Sequence, residues 1–357
     1  VIDADEAKRI AERFDLGTGA IDSVAAFGSG LINDTFLVKT AGAGFILQKI
    51  NQAVFKHPRR LMENHHRIIS HANRGGGGDF RLPELILSKN GDDCVQDNSG
   101  GIWRMQVFVS HTQTFDTVVN EQQAEQAGVA LASFQWLLSD LDSSKLHDIL
   151  PGFHVTPAYL RDYDDAQSRQ SHTGADSDYC RAFIEDRRAL AGVLDAVKDQ
   201  LPIRVIHGDP KLNNILFDGA ERAVAMVDLD TVSAGLIHYD LGDCLRSLCN
   251  RAGESPQHNQ TVQFDVAIAA AMLRGYMPIA RRFITAVEQA LFYPAIRLLP
   301  FELGLRFFTD YLLGNRYFKV RDPGHNLRRA VTQFRLTEDI ENKESAITSL
   351  LAGEGCR

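Results

Sequence analysis

Between two apolar, strand-like ends, Val205-Ile206 and Ile215-Leu216, the chain reads His207-Gly208-Asp209-Pro210-Lys211-Leu212-Asn213-Asn214. The order is H-x-D-x-x-x-x-N, the spacing of a phosphoryl-transfer catalytic loop. A little further on, Ala225-Met226-Val227-Asp228-Leu229-Asp230 sets a carboxylate at the end of another apolar run. Two antiparallel strands would bring Asn214 and Asp228 together. Nucleotide phosphates arrive as magnesium complexes, and magnesium takes hard oxygen ligands while keeping most of its water. Asn214 and Asp228 are the candidate metal ligands. A hydroxyl attacking phosphorus must be aimed and must lose its proton, so a carboxylate belongs beside it. Asp209 is the candidate base.

Each of these residues alone has a plainer reading, because an Asp before a turn is more often a cap. It is the conjunction that favours chemistry. His207 reads as structural, bonding backbone near Asp228. Asp240 and Asp243, at a helix start where acids are favoured, are expected to brace the loop. Asp230 is a further metal or substrate candidate, provided that the strand persists and turns it the same way as Asp228.

The elements that must position this loop differ before and after residue 109. Short apolar runs at 24–27, 34–39, 44–50, 82–87, 93–96 and 102–109, punctuated by glycine turns and an Asn90-Gly91 turn, predict a small antiparallel sheet. One helix is expected at 57–72, followed by a flexible glycine loop at 75–78. Beyond residue 109 the period becomes helical, most clearly over 119–141, where Ala124, Ala127, Leu131, Phe134, Leu138 and Leu141 recur at three- and four-residue steps. Further helices are expected at 178–201, 263–276, 281–292, 301–313 and 327–351, interrupted by strands only over 203–227. The division is therefore 1–108, a nucleotide-binding lobe, and 109–357, a catalytic and substrate-binding lobe.

With 357 residues and 44% hydrophobic content, the chain can bury a core in each lobe. Its net charge of -8 is dispersed, which argues against nucleic acid or a membrane surface as partner. Five cysteines without a C-x-x-C pair argue against a disulfide framework or zinc site, and suggest a reducing, cytoplasmic setting. The acidic start (Asp3, Asp5, Glu6) is unlike a signal peptide. The most apolar stretch, 283–308, is broken by Glu288, Arg297, Pro300, Glu302 and Arg306, so no membrane span is expected. A monomer is the default expectation.

These motifs resemble the aminoglycoside phosphotransferase and choline kinase superfamily, in which H-G-D is followed by an Asn and an acidic strand end. Over nearly the whole chain the resemblance is closer to bacterial N-acetylhexosamine 1-kinases. It is carried by 30–36, 45–48, 211–216, 228–231, Arg306-Phe307 and Tyr317-Phe318. It implies an α+β, protein-kinase-like two-lobed fold, with ATP and Mg2+ in the cleft and a sugar held by the larger lobe. The reaction implied is transfer to the anomeric hydroxyl of N-acetylglucosamine or N-acetylgalactosamine. Asp209 then matches the family base, Asn214 and Asp228 its metal ligands, and Asn33, Arg306 and Tyr317, with Asp209 and Asp230, contacts to the sugar. Gly28, Ser29 and Gly30 match a phosphate-covering loop, although an ordinary hairpin turn would look the same. Gln106, Phe108 and Val109 are expected around the adenine. Arg306 has a second reading, as an ion pair with Glu302 four residues earlier.

Two departures matter. Gln48 stands where many kinases carry a phosphate-steadying lysine, with Lys49 facing the other way. Leu31 stands where a polar residue is expected. Rival readings are a kinase for another small alcohol (homoserine, choline or an aminoglycoside), a catalytically weak nucleotide-binding regulator, and a metal-dependent sugar transferase reading 228–230 as D-x-D.

Overall fold

The structure is a computed structural model that describes residues 2–17, 19–28, 32–74, 80–169, 173–255 and 261–353. The glycine run at 75–78 lies outside these residues, as do Ser29, Gly30, Leu31 and Cys356.

The first part is an antiparallel sheet of β1 (Ile21–Ala26), β2 (Asp34–Thr40), β3 (Gly44–Lys49), β4 (Leu85–Ile86), β5 (Val95–Gln96) and β6 (Ile102–Val107). The strand order is β1-β2-β3-β6-β4, with β5 also on β6. Alternation sends Phe36, Val38, Leu47, Trp103 and Met105 to one face. There they bury against Ala7, Ile10 and Ala11 of helix α1 (Ala4–Ala11) and against Phe14. Lys49 is also on that face, paired with Asp97 at 2.9 Å and lying over Trp103. The other face carries Gln48, Arg104 and Gln106, with Gln48 and Arg104 directly opposite each other. Helix α2 (Pro58–Arg74) covers this polar face through His65, whose Nε2 lies 3.5 Å from Gln106 Nε2.

The second part is helical: α3 (Glu121–Leu137), α4 (Thr156–Arg169), α5 (Ala175–Asp186), α6 (Ile237–Cys249), α7 (Val266–Ala280), α8 (Ala286–Ala290), α9 (Phe292–Leu312), α10 (His325–Asn342) and α11 (Glu344–Ala352). Two small strand pairs sit among these helices: β7 (Arg204–Ile206) with β10 (Ser233–Gly235), and β8 (Ile215–Phe217) with β9 (Ala223–Met226). Helix α3 starts where Asn120 accepts from Gln123 N. It buries Leu131 and Phe134, side chains that each contribute about 1.5–3 kcal/mol on leaving water. Helices α3 and α7 cross in near backbone contact. A Cβ at Gly128 would fall 2.0 Å from the Met272 carbonyl oxygen, and one at Gly275 would fall 2.0 Å from that of Glu125.

The expected sheet and helical part are both present, with local differences. Helix α4 was not foreseen, since its polar sequence buries only Thr156, Tyr163 and Ala166. The span 178–201 is helical only to Asp186, then tightens into 3-10 turns. The span 327–351 divides at Lys343. Helix α9 runs through Pro300 rather than beginning after it. Strand β10 adds a pairing beyond 203–227. The Asn90-Gly91 turn closes through Gly91 N to Ser88 O (2.8 Å), but β4 and β5 each pair with β6, not with each other. No helix among the described residues is long and apolar enough to cross a membrane.

Candidate active site

β7 delivers His207–Asn214, and the β8–β9 pair returns the chain to Asp228. Ile215 faces Met226, and Val227 N donates to Asn214 O at 2.9 Å, so the loop end and the acidic turn are adjacent. The loop is tied down on several sides. Asp240, in the first turn of α6, accepts from His207 N (2.9 Å), Gly208 N (2.8 Å) and Gln135 Nε2 (3.1 Å). Burial raises the Asp240 carboxyl above the usual range, opposed by His207 and by these hydrogen bonds. His207 Nε2 donates to Val227 O (3.1 Å), while its Nδ1 accepts from Asp209 N (3.4 Å). Burial lowers its pKa, in keeping with a neutral ring. Thr231 Oγ donates to His207 O (2.8 Å), and Leu212 N donates to Ser247 Oγ (3.1 Å). Gly208, at φ +84°, leaves no room for a side chain, since a Cβ would lie 2.7 Å from Thr231 O. Asp243 does not share this bracing: it holds Arg246 at 2.8 Å instead.

A further support was not visible in the sequence. His154 Nδ1 donates to Glu302 Oε1 (2.8 Å) and Nε2 donates to Gly208 O (2.9 Å). Both partners are acceptors, so the ring carries both protons. Burial alone would lower its pKa, but the Glu302 charge and hydrogen bond raise it overall. Thr156 Oγ also donates to Glu302 (2.5 Å). Glu302 is thereby committed to His154 and Thr156, which displaces its expected pairing with Arg306.

Asp209 Oδ2 accepts from Lys211 Nζ and, at 3.3 Å, from Asn214 Nδ2, which also reaches Asp209 O at 2.8 Å. Burial lowers the Lys211 pKa, but Asp209 and Asp228 outweigh it and the net shift is upward, so the ammonium stays charged. Asp228 sits in the left-handed region at φ 63°, a conformation that Asp tolerates better than most residues. Solvent reaches it from the cleft, yet protein walls its other sides. Burial, then the Asp230 and Asp209 charges, push its carboxyl up to about 7. Asp228 and the Asn214 amide oxygen are hard oxygen donors, the kind that could hold a magnesium ion arriving on phosphates with its other ligands kept. Among the described residues no group of three or more His, Cys, Asp or Glu could hold a metal unaided.

Asp230 is used differently. It is buried, 2% exposed, with Oδ1 2.5 Å from Arg104 Nη1 and Oδ2 accepting from Asn33 Nδ2 at 2.8 Å. Asn33 Oδ1 accepts from Asn51 N (3.0 Å). Asn33 and Asp230 thus form an interlocking pair. Gln48 bonds Arg104 and Thr35. Gln106 lies within the sheet opposite Ile46, its side chain buried, and Phe108 N is committed to Gly44 O (3.0 Å). The Val109 carbonyl accepts from Thr112 Oγ (2.7 Å). Gly28, at φ +75°, follows Phe27, whose ring stands edge-on to Phe108 at 5.7 Å.

On α9, the Arg306 guanidinium lies over four rings: Tyr159 (5.1 Å), Phe153 (5.3 Å), Phe318 (5.5 Å) and Tyr317 (5.8 Å). Among the described residues it has no ion pair or hydrogen-bond acceptor. Burial lowers its pKa, but Tyr159, Tyr317, Glu302 and Asp209 raise it overall, which places it in the field of the candidate base. One turn on, Asp310 accepts from the backbone N–H of Arg316 (2.8 Å), Tyr317 (2.8 Å) and Phe318 (3.0 Å) and from Asn326 Nδ2 (2.9 Å). It therefore presents Tyr317, 47% exposed, beside Arg306. The i, i+4 step from Arg306 to Asp310 was the only sequence signal available for it.

The chain is 30% identical over 142 residues to the homoserine kinase of Pseudomonas aeruginosa strain UCBPP-PA14, a match spanning 40% of each chain. Among solved structures it is similar to a microcompartment-associated aminopropanol kinase, with TM-score 0.68, 16% identity, and coverage of 98% of this chain and 100% of that one. It is also similar to an aminoglycoside phosphotransferase from Alicyclobacillus acidocaldarius, with TM-score 0.61, 17% identity, and coverage of 99% and 96%. These likenesses establish a kinase-like fold with an antiparallel-sheet N-terminal part and a larger helical C-terminal part. Residues 23–290 match the pattern of the phosphotransferase enzyme family, and the chain belongs to that family.

Proposed function

We propose that the chain transfers the γ-phosphoryl group of ATP to a hydroxyl of a small molecule, most concretely the anomeric hydroxyl of an N-acetylhexosamine. ATP would lie between the lobes 1–108 and 109–357. The single observation carrying this reading is the juxtaposition of Asp209, Lys211, Asn214 and Asp228 on one braced loop and turn. Magnesium bound by Asp228 and Asn214 would neutralise phosphate charge and orient the nucleotide. Asp209, with the Lys211 ammonium and the Asn214 amide on its carboxylate, would accept the acceptor's proton as the new P–O bond forms and the bond from the γ-phosphorus to the leaving ADP breaks. Lys211, near both Asp209 and Asp228, puts positive charge where the transferring group carries negative charge.

The acceptor would rest on Arg306 and Tyr317. Aromatic faces around a donor-rich guanidinium suit a sugar, whose ring presents C–H faces and hydroxyl acceptors. The same guanidinium also suits the carboxylate of an amino-acid alcohol, as the homoserine kinase relative suggests.

ADP release with Mg-ATP would be measured against N-acetylglucosamine, N-acetylgalactosamine, glucose, galactose, homoserine, choline and kanamycin. Turnover of an N-acetylhexosamine with a 1-phosphate product supports the first reading. Selective turnover of homoserine replaces it with the second.

A further inference from the structure

Gln48 stands where a phosphate-steadying lysine is usual, and taken alone it reads as a lost charge. Its surroundings give it other work. Gln48 Oε1 accepts from Arg104 Nε (3.0 Å) and Nη2 (2.7 Å), and its Nε2 donates to Thr35 Oγ (3.1 Å). The remaining edge of the Arg104 fork meets Asp230, with Nη1 2.5 Å from Oδ1. Both ends of this ion pair are buried, Arg104 at 1% and Asp230 at 2% exposure. Asn33 and Asn51 continue the chain. One polar path therefore runs from β2, β3 and β6 into the turn that carries Asp228.

Electrostatics explains why the path has this composition. Asp230 is buried two residues from Asp228, and a buried carboxylate needs a fixed counter-charge and hydrogen bonds to remain in place. Arg104 supplies that charge. Its planar fork suits the geometry, because one edge takes the amide oxygen and another the carboxylate. A lysine at 48 would set an ammonium against the guanidinium and remove the acceptor that orients it.

We infer that Arg104 is a positioning residue for the nucleotide–magnesium site: Gln48 anchors its guanidinium, which neutralises and holds Asp230 and so leaves the Asp228 carboxylate turned to the cleft. Gln48 is then the partner that Arg104 requires, and the nucleotide-binding sheet grips the metal-binding turn directly. The inference rests on the phosphotransfer reading but not on the identity of the acceptor.

The test is Mg-ATP affinity by calorimetry, alongside thermal unfolding of each protein without nucleotide. Arg104→Met is expected to weaken Mg-ATP binding by about ten- to a hundredfold, the usual effect of losing an outer-shell support. Gln48→Lys is expected to weaken binding as well. The double variant Arg104→Met/Asp230→Asn, which removes both charges, should bind more tightly than Arg104→Met alone. A role confined to packing would not produce that recovery. If Arg104→Met does not fold, Gln48→Lys decides. Tighter binding by Gln48→Lys, unchanged binding by folded Arg104→Met, or no recovery in the double variant overturns the inference while leaving phosphotransfer intact. Failure of the unaltered protein to bind Mg-ATP overturns both.

Discussion

The two sides of the cleft are built on opposite rules. Around the catalytic loop almost every polar group is committed: Asp240 takes three donors, His154 spans Glu302 and Gly208, and His207 uses both ring nitrogens. At the proposed acceptor side, Arg306 meets only ring faces among the described residues, and Tyr317 is half exposed. A saturated network holds one geometry, whereas unspent donors beside aromatic surfaces await a ligand.

The sharpest challenge to this contrast is Asp209→Asn. It should leave Mg-ATP binding near its original value and lower turnover by about 10²–10⁴-fold, as expected for loss of a general base. Equal loss of nucleotide affinity would move Asp209 to a binding role. Next is Asp240→Ala, which orphans two buried backbone N–H groups and the Gln135 amide, each costing about 1–3 kcal/mol. It should lower the melting temperature and turnover together, whichever acceptor is used. Arg306→Met tests the other side: the KM for the acceptor should rise about ten- to a hundredfold, as for loss of a charged hydrogen bond, with Mg-ATP binding unchanged. A parallel fall in stability would make Arg306 part of the framework.

The imidazolium of His154 gives a smaller, pH-dependent effect. Its folded-state pKa is raised above 6.5 by Glu302. The stability it contributes is therefore complete below that value and is lost as pH rises through the folded pKa. Melting curves at increasing pH should converge on those of His154→Gln, and curves that stay parallel would refute an ion pair. Tyr317→Phe should have the least effect, raising the acceptor KM about two- to tenfold, as for a single neutral hydrogen bond.

Legibility followed the range of the interactions. The loop and the acidic turn could be read because H-x-D-x-x-x-x-N and the end of an apolar run are local signals, and the β8–β9 pairing brings them together as expected. Helix α3 was clear from its period. Helix α4 was not, because so little of it is buried, and α9 was cut short in the reading because proline's usual effect is overridden here by burial on nearly all sides. The side-chain partnerships were the least legible part. His154 and Glu302 are 148 residues apart, and Asn33 and Asp230 are 197 apart. Nothing in the sequence indicates that Arg104 rather than a residue at 48 carries the buried charge of the sheet.

The crossing of α3 and α7 at Gly128 and Gly275 has a consequence for laboratory evolution. Near the end of α3, Gln135 touches both Asp240 and, through its Oε1, the Tyr276 hydroxyl of α7. The interaxial gap thus acts as a gauge block for a loop it never touches, and even a methyl group would change its setting. Libraries selected for new acceptors should tolerate broad change around Arg306 and Tyr317. At Gly128 and Gly275 they should return inactive clones, because a Cβ at either position meets the backbone of the opposing helix.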